Sequence, residues 1–104
     1  MALLHSLMRY KDENRVTSFE MHGNKKATVT LRSGKSILVY MSEEYIVGES
    51  EVAEAAEHPS ASFLVYNNWD TVGQGAFKEA KRLGIEIHKF GAFSSRLDEL
   101  NGRY

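Results

Sequence analysis

Residues 63–97, FLVYNNWDTVGQGAFKEAKRLGIEIHKFGAFSSRL, decide the fold of this chain. They begin with Phe63–Tyr66, a short apolar run of the kind that forms a strand buried on both faces of a sheet. Further along, Ile85–Phe90 alternates between apolar and polar side chains, which is typical of a second strand. A helix between two such strands implies a parallel pair joined by a right-handed crossover. The stretch therefore predicts a βαβ unit.

The segment between these strands carries its own helix signals. Thr71, followed by Gln74, fits a capping box and predicts a helix over 72–83. Gly84 can adopt the left-handed conformation that closes a helix. Apolar side chains recur at helical spacing and predict a buried stripe formed by Val72, Ala76, Ala80 and Leu83. This helix should therefore cover one face of the sheet.

The remaining residues complete the sheet. The predicted order is an N-terminal helix and connector in 1–15, a three-stranded antiparallel meander in 16–42, a helix in 49–58 and a βαβα unit in 62–100. The runs 37–41 and 63–66 are the most apolar, so we expect them to be the central strands. The whole chain, 1–104, is therefore predicted to be a single α/β domain with a mixed sheet.

The composition excludes several classes of function. The chain has 104 residues, of which 42% are hydrophobic, which suits one compact domain. Its 13 Lys and Arg and 14 Asp and Glu give a net charge of −1, so no overall field attracts nucleic acid or a membrane. The absence of Cys excludes disulfides and thiolate chemistry and is compatible with a cytoplasmic protein. The N-terminal apolar segment is too short and polar to span a membrane, and we expect it to be retained.

Five stretches of the chain carry a resemblance to a known family. They are GKSILVYMS at 34–42, VGESEV at 47–52, FLVYNN at 63–68, AFKEA at 76–80 and GIEI at 84–87. In pattern and order they resemble the core of methyl-directed, type IV restriction endonuclease domains, which belong to the PD-(D/E)XK nuclease superfamily. The resemblance covers roughly positions 16–97. It implies a restriction-endonuclease-like, three-layer α-β-α fold.

The resemblance also locates a catalytic motif, and this chain departs from it. The superfamily uses an acid on the second strand, and an acid or Gln followed by a Lys on the third, to hold a divalent ion and to activate water. The matching positions here are Thr28 (or its neighbour Ala27), Tyr40 and Ser42, and Met21–Ser42 contains no Asp or Glu at all. We therefore expect a degenerate site without a metal or another cofactor.

An active nuclease stays open as the alternative. Its acidic site would be relocated to Glu20, Glu43 and Glu44, or would be completed by oligomerisation. The four histidines share no metal-ligand spacing and do not suggest another metal centre.

Two other groups of residues are candidates for binding. Four basic side chains near the predicted hairpin ends are candidate contacts for nucleic-acid phosphates: Lys25, Lys26, Arg32 and Lys35. Polar and aromatic side chains follow the strand that ends at Tyr66, where open α/β sheets place ligand crevices: Asn67, Asn68, Trp69 and Asp70. The alternative for this second group is a Trp that packs against the core beside a polar turn.

The preferred hypothesis is a catalytically degenerate nuclease-like domain that acts as a binding or assembly module. Its nucleic-acid contact would be weak and electrostatic. The N-terminal segment has more apolar side chains than a small domain normally exposes, namely Leu3, Leu4, Leu7 and Met8. We therefore expect a homodimer formed through the N-terminal helix. A small-ligand binder that uses the loop of Trp69 is a weaker third hypothesis.

Overall fold

The computed structural model describes residues 3–42, 46–67 and 71–102. In these ranges the chain forms four helices and seven strands. In chain order they are α1 (Leu3–Asp12), β1 (Val16–His22), β2 (Lys26–Leu31), β3 (Ser36–Met41), β4 (Ile46–Val47), α2 (Glu49–Ala56), β5 (Phe63–Tyr66), β6 (Thr71–Val72), α3 (Gln74–Leu83), β7 (Glu86–Lys89) and α4 (Phe90–Leu100). None of the described helices is long and apolar enough to cross a membrane.

The main sheet has five strands in the order β1-β2-β3-β5-β7. The strands β1, β2 and β3 pair antiparallel, whereas β3, β5 and β7 pair parallel. This arrangement confirms the predicted mixed sheet, in which an antiparallel meander precedes a βαβ unit. It also confirms that β3 and β5 are internal strands.

Helices cover both faces of this sheet, because the central strand β3 is apolar on both sides. Val39 and Met41 belong to one core. Tyr40 belongs to the other, and the partly buried Leu38 packs against it. The first core is completed by α1 and α4, through Leu7, Tyr10, Phe93 and Leu97. The second is completed by α2 and α3, through Val52, Ala55, Ala76 and Ala80. The sheet therefore lies between two pairs of helices.

The predicted capping box at Thr71 is wrong. Thr71 and Val72 form β6, which pairs parallel with β4 in a small second sheet. The amide of Gly73 then donates to the carbonyl oxygen of Val47 at 3.0 Å, and the helix begins only at Gln74. The backbone of Thr71 is engaged in strand pairing, so it cannot cap the helix.

The apolar stripe of α3 is narrower than predicted. Ala76 and Ala80 are buried, as expected. Leu83, however, is 38% exposed, and Phe77, which was not assigned to the stripe, is 50% exposed. Small alanine side chains let α3 approach α2 closely, and the larger apolar residues lie on its outer side. The helix therefore leaves apolar surface uncovered.

Gly84 ends α3 as predicted. Its φ is +74°, in the left-handed region that favours glycine. The chain reverses there, and the amide of Ile85 donates to the carbonyl oxygen of Ala80 at 2.8 Å. This turn directs the chain into β7.

Replacing Gly84 by Ala should lower the free energy of unfolding by about 1 kcal/mol, because a Cβ atom is strained at positive φ. Gly75→Ala is the matched control within the same helix. There the added Cβ would meet the flexible carboxylate of Glu49 at 3.1 Å, so we expect a neutral or slightly stabilising change. Urea denaturation measures both, and equal effects would contradict the assignment of Gly84 as the helix terminator.

Candidate functional site

A polar pocket of about 410 Å³ opens beside the β1–β2 turn. Its walls are this turn, the side of β3 and the C-terminal end of α2 with the loop that follows. The ionisable and phenolic residues that line it are His22, Lys25, Lys26, Tyr40, Glu54, Glu57 and His58. We call this the polar pocket. It contains three of the residues singled out in the sequence analysis, Tyr40, Lys25 and Lys26, and others that sequence reasoning missed.

Tyr40 forms the floor of the polar pocket. Its side chain is 1% exposed and belongs to the core between the sheet and α2–α3. The phenolic hydroxyl donates to Oε2 of Glu54 at 3.0 Å. Where the resemblance expects an acid or Gln that binds a cation, this chain therefore has a buried phenol that donates a hydrogen bond.

Thr28 lies on the same face of the sheet as Tyr40, two strand positions away. The register shows this, because Thr28 faces Leu38 and Lys26 faces Tyr40. The hydroxyl of Thr28 hydrogen bonds with Nε2 of His22 at 2.7 Å. This position is thus occupied by a neutral side chain paired with an imidazole.

Ser42 follows β3 directly and is buried. Its amide donates to the carbonyl oxygen of Val65 at 2.9 Å, which extends the β3–β5 pairing by one residue. Thr28, which faces Leu38 in the middle of β3, is therefore about 13 Å along the strands from Ser42, and the three motif positions do not converge at one end of the sheet. Two of them, Thr28 and Tyr40, share one face.

Lys26 connects the sheet to the end of α2. Its ammonium group donates to the carbonyl oxygens of Glu57 and Pro59, at 2.7 and 3.1 Å. A cation at this place also complements the negative end of the helix dipole. Lys26 is therefore tied to the loop that follows α2.

Lys25 pairs with the acid that Tyr40 binds. Its Nζ lies 3.8 Å from Oε1 of Glu54, and both side chains are partly exposed. Glu54 thus accepts a hydrogen bond from the phenol at Oε2 and has the ammonium group of Lys25 near Oε1. The two lysines of the polar pocket are both engaged within the chain.

The four basic candidates for nucleic-acid binding fall into two pairs. Lys25 and Lys26 lie at the start of β2, and Arg32 and Lys35 lie in the turn that follows its end. At about 3.3 Å per residue, the length of β2 separates the two pairs by roughly 17 Å. The structure therefore does not bring them into one basic patch.

The acidic alternative is only partly within the described residues. Glu20 is exposed on the edge strand β1, opposite Thr28, which in turn faces Leu38. Ser42 lies four residues beyond Leu38, about 13 Å along the strand, so Glu20 is at least that far from the end of β3. Glu43 and Glu44 lie outside the described residues. Within residues 3–42, 46–67 and 71–102, no three His, Asp or Glu side chains are grouped so that they could hold a metal ion.

The predicted ligand crevice is also only partly described. Asn67 follows β5 and is half-buried, and Asn68, Trp69 and Asp70 lie outside the described residues. Near this end of the sheet, the carboxylate of Glu49 lies against Gly75 in the first turn of α3, where it suits the positive end of that helix. A carboxylate of the chain itself therefore lies beside the first turn of α3.

Sequence reasoning missed the contribution of α2 to the polar pocket. Glu54, His58 and the carbonyl oxygens of Glu57 and Pro59 complete it. No local pattern links these residues to Tyr40 or Lys26, which lie at sequence separations of 14 and more. The only available signal was the polar hydroxyl of Tyr40 in an otherwise apolar strand, since a buried phenol requires a hydrogen-bond partner.

Comparisons with protein-family models, with curated proteins and with solved structures gave no match. The resemblance to restriction endonuclease domains therefore rests on the sequence stretches quoted above.

Replacing Lys26 by Met keeps the aliphatic stem but removes the group that binds the two carbonyl oxygens. We expect the free energy of unfolding to fall by about 1–2 kcal/mol, as for a partly exposed hydrogen bond to a charged group. In the matched control Lys25→Met, loss of the exposed ion pair with Glu54 should cost less than about 0.5 kcal/mol. Urea denaturation tests this difference, and equal losses would show that Lys26 does not hold the loop.

Proposed function

We propose that this chain is a catalytically degenerate nuclease-like domain that acts as a binding or assembly module. The observation that supports the proposal best is the role of Tyr40. At the position where the resemblance requires a ligand for a divalent ion, the buried phenol donates to Glu54. A hard cation needs several oxygen donors with negative charge, whereas Tyr40 contributes a neutral hydroxyl whose proton is donated to Glu54.

The neighbouring charges support the same proposal. The ammonium groups of Lys25 and Lys26 lie in the polar pocket with Glu54. The two lysines balance the charges of the two acids that line the pocket, Glu54 and Glu57, so there is no net negative charge to attract a divalent cation. The pocket is therefore better suited to holding the β1–β2 turn against α2 than to metal-dependent hydrolysis.

Nucleic-acid contact has a minor place in this proposal. Lys25 and Lys26 are engaged inside the chain, so Arg32 and Lys35 remain as the exposed pair at the far end of β2. Two phosphate contacts give only weak, salt-sensitive and sequence-independent binding. Assembly with protein is the better-supported form of binding.

Self-association through α1 is part of the proposal. Leu4 and Met8, which lie one helical turn apart, are 42% and 51% exposed. Leu7, by contrast, is buried in the core with Tyr10, so it belongs to the fold of each chain. A second copy that covers Leu4 and Met8 would remove this apolar strip from water.

The absence of nuclease activity is the first test. Purified protein incubated with plasmid or single-stranded DNA and magnesium or manganese should give no cleavage above a metal-free control. Cleavage that disappears when Glu20, Glu43 and Glu44 are changed to Gln would contradict the proposal and establish a relocated acidic site. Glu54→Gln serves as a further variant, because it tests the carboxylate that accepts the hydrogen bond from Tyr40.

The dimer is tested separately by a double variant, Leu4→Glu with Met8→Glu. We expect light scattering of the unaltered protein to give twice the mass of one chain, and the variant to give the 11.8 kDa of a monomer. Arg9→Glu, an exposed change on the same helix about 100° or more of helical rotation from both Leu4 and Met8, is the matched control and should stay dimeric. A full-length protein that is monomeric at high micromolar concentration would contradict this part of the proposal.

A further inference from the structure

An apolar groove lies between α3 and the outer side of β7. Its volume is about 460 Å³, and its apolar walls are Phe77, Ala80, Ile85 and Ile87. Phe77 is 50% exposed at its rim. We call this surface the α3–β7 groove. It is remote from the polar pocket, which shares none of its residues.

The backbone of β7 is open next to this groove. β7 pairs with β5 on one side, and no described strand lies on its other side. The amide of Glu86 donates to the carbonyl oxygen of Ser62 at 3.0 Å. Because backbone groups alternate between the two edges of a strand, the N–H and C=O of Ile87 point to the outer edge. An extended segment could therefore add to the sheet there by main-chain hydrogen bonds.

The charges around the groove are positive. Lys81 lies in its wall, and Lys89 is exposed on the same face of β7 as Ile87. Neither lysine has an ion-pair partner within the described residues. The acid that lines the groove, Glu86, accepts hydrogen bonds from Arg96 and His88, and Glu79 on α3 pairs with Arg82.

Glu86 also lines the groove, but its charge is balanced by its pairing with Arg96. Arg96, with Nε 2.9 Å from Oε1 of Glu86, lies on α4, on the opposite face of the sheet. The Arg96 guanidinium holds the pKa of Glu86 below its ordinary value, so this carboxylate stays ionised and paired at neutral pH. The free charge at the groove is therefore that of Lys81 and Lys89.

We propose that the β7 edge and the α3–β7 groove bind an extended segment of a partner protein, with an apolar side chain flanked two residues away by Asp or Glu. The apolar side chain would enter beside Phe77 and Ile87, and alternate residues of the segment would bring acids to Lys81 and Lys89. This inference deepens the proposed function, on which it rests, by naming the surface and the chemistry of the partner.

The same charges argue against a second copy of this chain as the occupant. Pairing two β7 edges would bring Lys81 and Lys89 of one copy near those of the other, and like charges at such an interface are repulsive. Lysines at a sheet edge also suppress non-specific strand pairing. An acidic segment turns this repulsion into attraction.

The test uses a capped peptide, Thr-Glu-Thr-Leu-Thr-Glu-Thr, titrated into the full ¹⁵N-labelled chain and followed by amide NMR. The matched probe is Thr-Lys-Thr-Leu-Thr-Lys-Thr. We expect the acidic peptide to shift the amide signals of β7 and of the end of α3 in a saturable way, and to bind at least about ten-fold more tightly than the basic one.

Three variants of exposed residues separate the contributions. The double change Lys81→Glu with Lys89→Glu should reverse the preference, so that the basic peptide binds more tightly. Phe77→Ser should weaken both peptides by removing the apolar rim. Lys35→Glu, at the far end of the sheet, is the control and should leave both affinities unchanged. The NMR spectrum of each variant without peptide confirms that its fold is retained.

Several results would overturn the inference. They are equal affinity for the two peptides, binding unchanged by the double charge reversal, or shifts confined to residues away from α3 and β7. A dimer in light scattering that Phe77→Ser dissociates would show a second copy as the occupant. DNA cleavage assayed on the same preparation separates the two proposals: cleavage together with peptide binding refutes only the proposed function, and neither cleavage nor peptide binding refutes only this inference.

Discussion

The structure depends on one constraint: the central strand β3 must be covered on both faces. Its residues alternate between the two cores, and Val39, Tyr40 and Met41 are each only 1% exposed. A single helical layer would leave half of these side chains in water, at a cost of about 1.5–3 kcal/mol for each large apolar one. The chain therefore crosses over from β3 to β5 through α2, and from β5 to β7 through α3, while α1 and α4 close the opposite face. The parallel part of the sheet is a consequence of these crossovers, since parallel neighbours require them.

The polar pocket follows from the same constraint. Tyr40 is placed in the core by its position in β3, so its hydroxyl must find a partner or lose the hydrogen bonds it would make with water. Glu54 supplies that partner from α2, and Lys25 balances the charge of Glu54. In the pocket, Tyr40 and Lys25 are thus paired with Glu54, and Lys26 with the carbonyl oxygens that follow α2. A catalytic metal site has a different character, because it needs ligand atoms that remain available to the ion. This difference is the ground on which we propose a binding or assembly module and not a nuclease.

The amino-acid sequence predicts the features that depend on near neighbours and fails for those that depend on distant ones. Strand β5, strand β7 and the left-handed turn at Gly84 each depend on a pattern of a few consecutive residues. The structure confirms all three predictions. Thr71 was misassigned because its strand partner, Ile46, lies in a distant part of the chain, and pairing with it overrides the local preference for a helix cap. The candidate site divides in the same way. Tyr40 and the lysines could be named from the sequence, whereas the carbonyl oxygens that hold Lys26 are set by the course of the loop after α2.

The two edges of the sheet differ in a way that bears on assembly. At one edge, β1 has an irregular register between Val16 and Ser18, and its outer side chains are largely polar and exposed. Such irregularities and charges are how sheets avoid pairing with other chains. At the other edge, β7 pairs regularly with β5 over all four of its residues and borders the apolar surface of Phe77. One edge of the sheet is therefore irregular, whereas the other is regular and carries the exposed Lys89, and this asymmetry fits the proposed binding of acidic partner segments at β7.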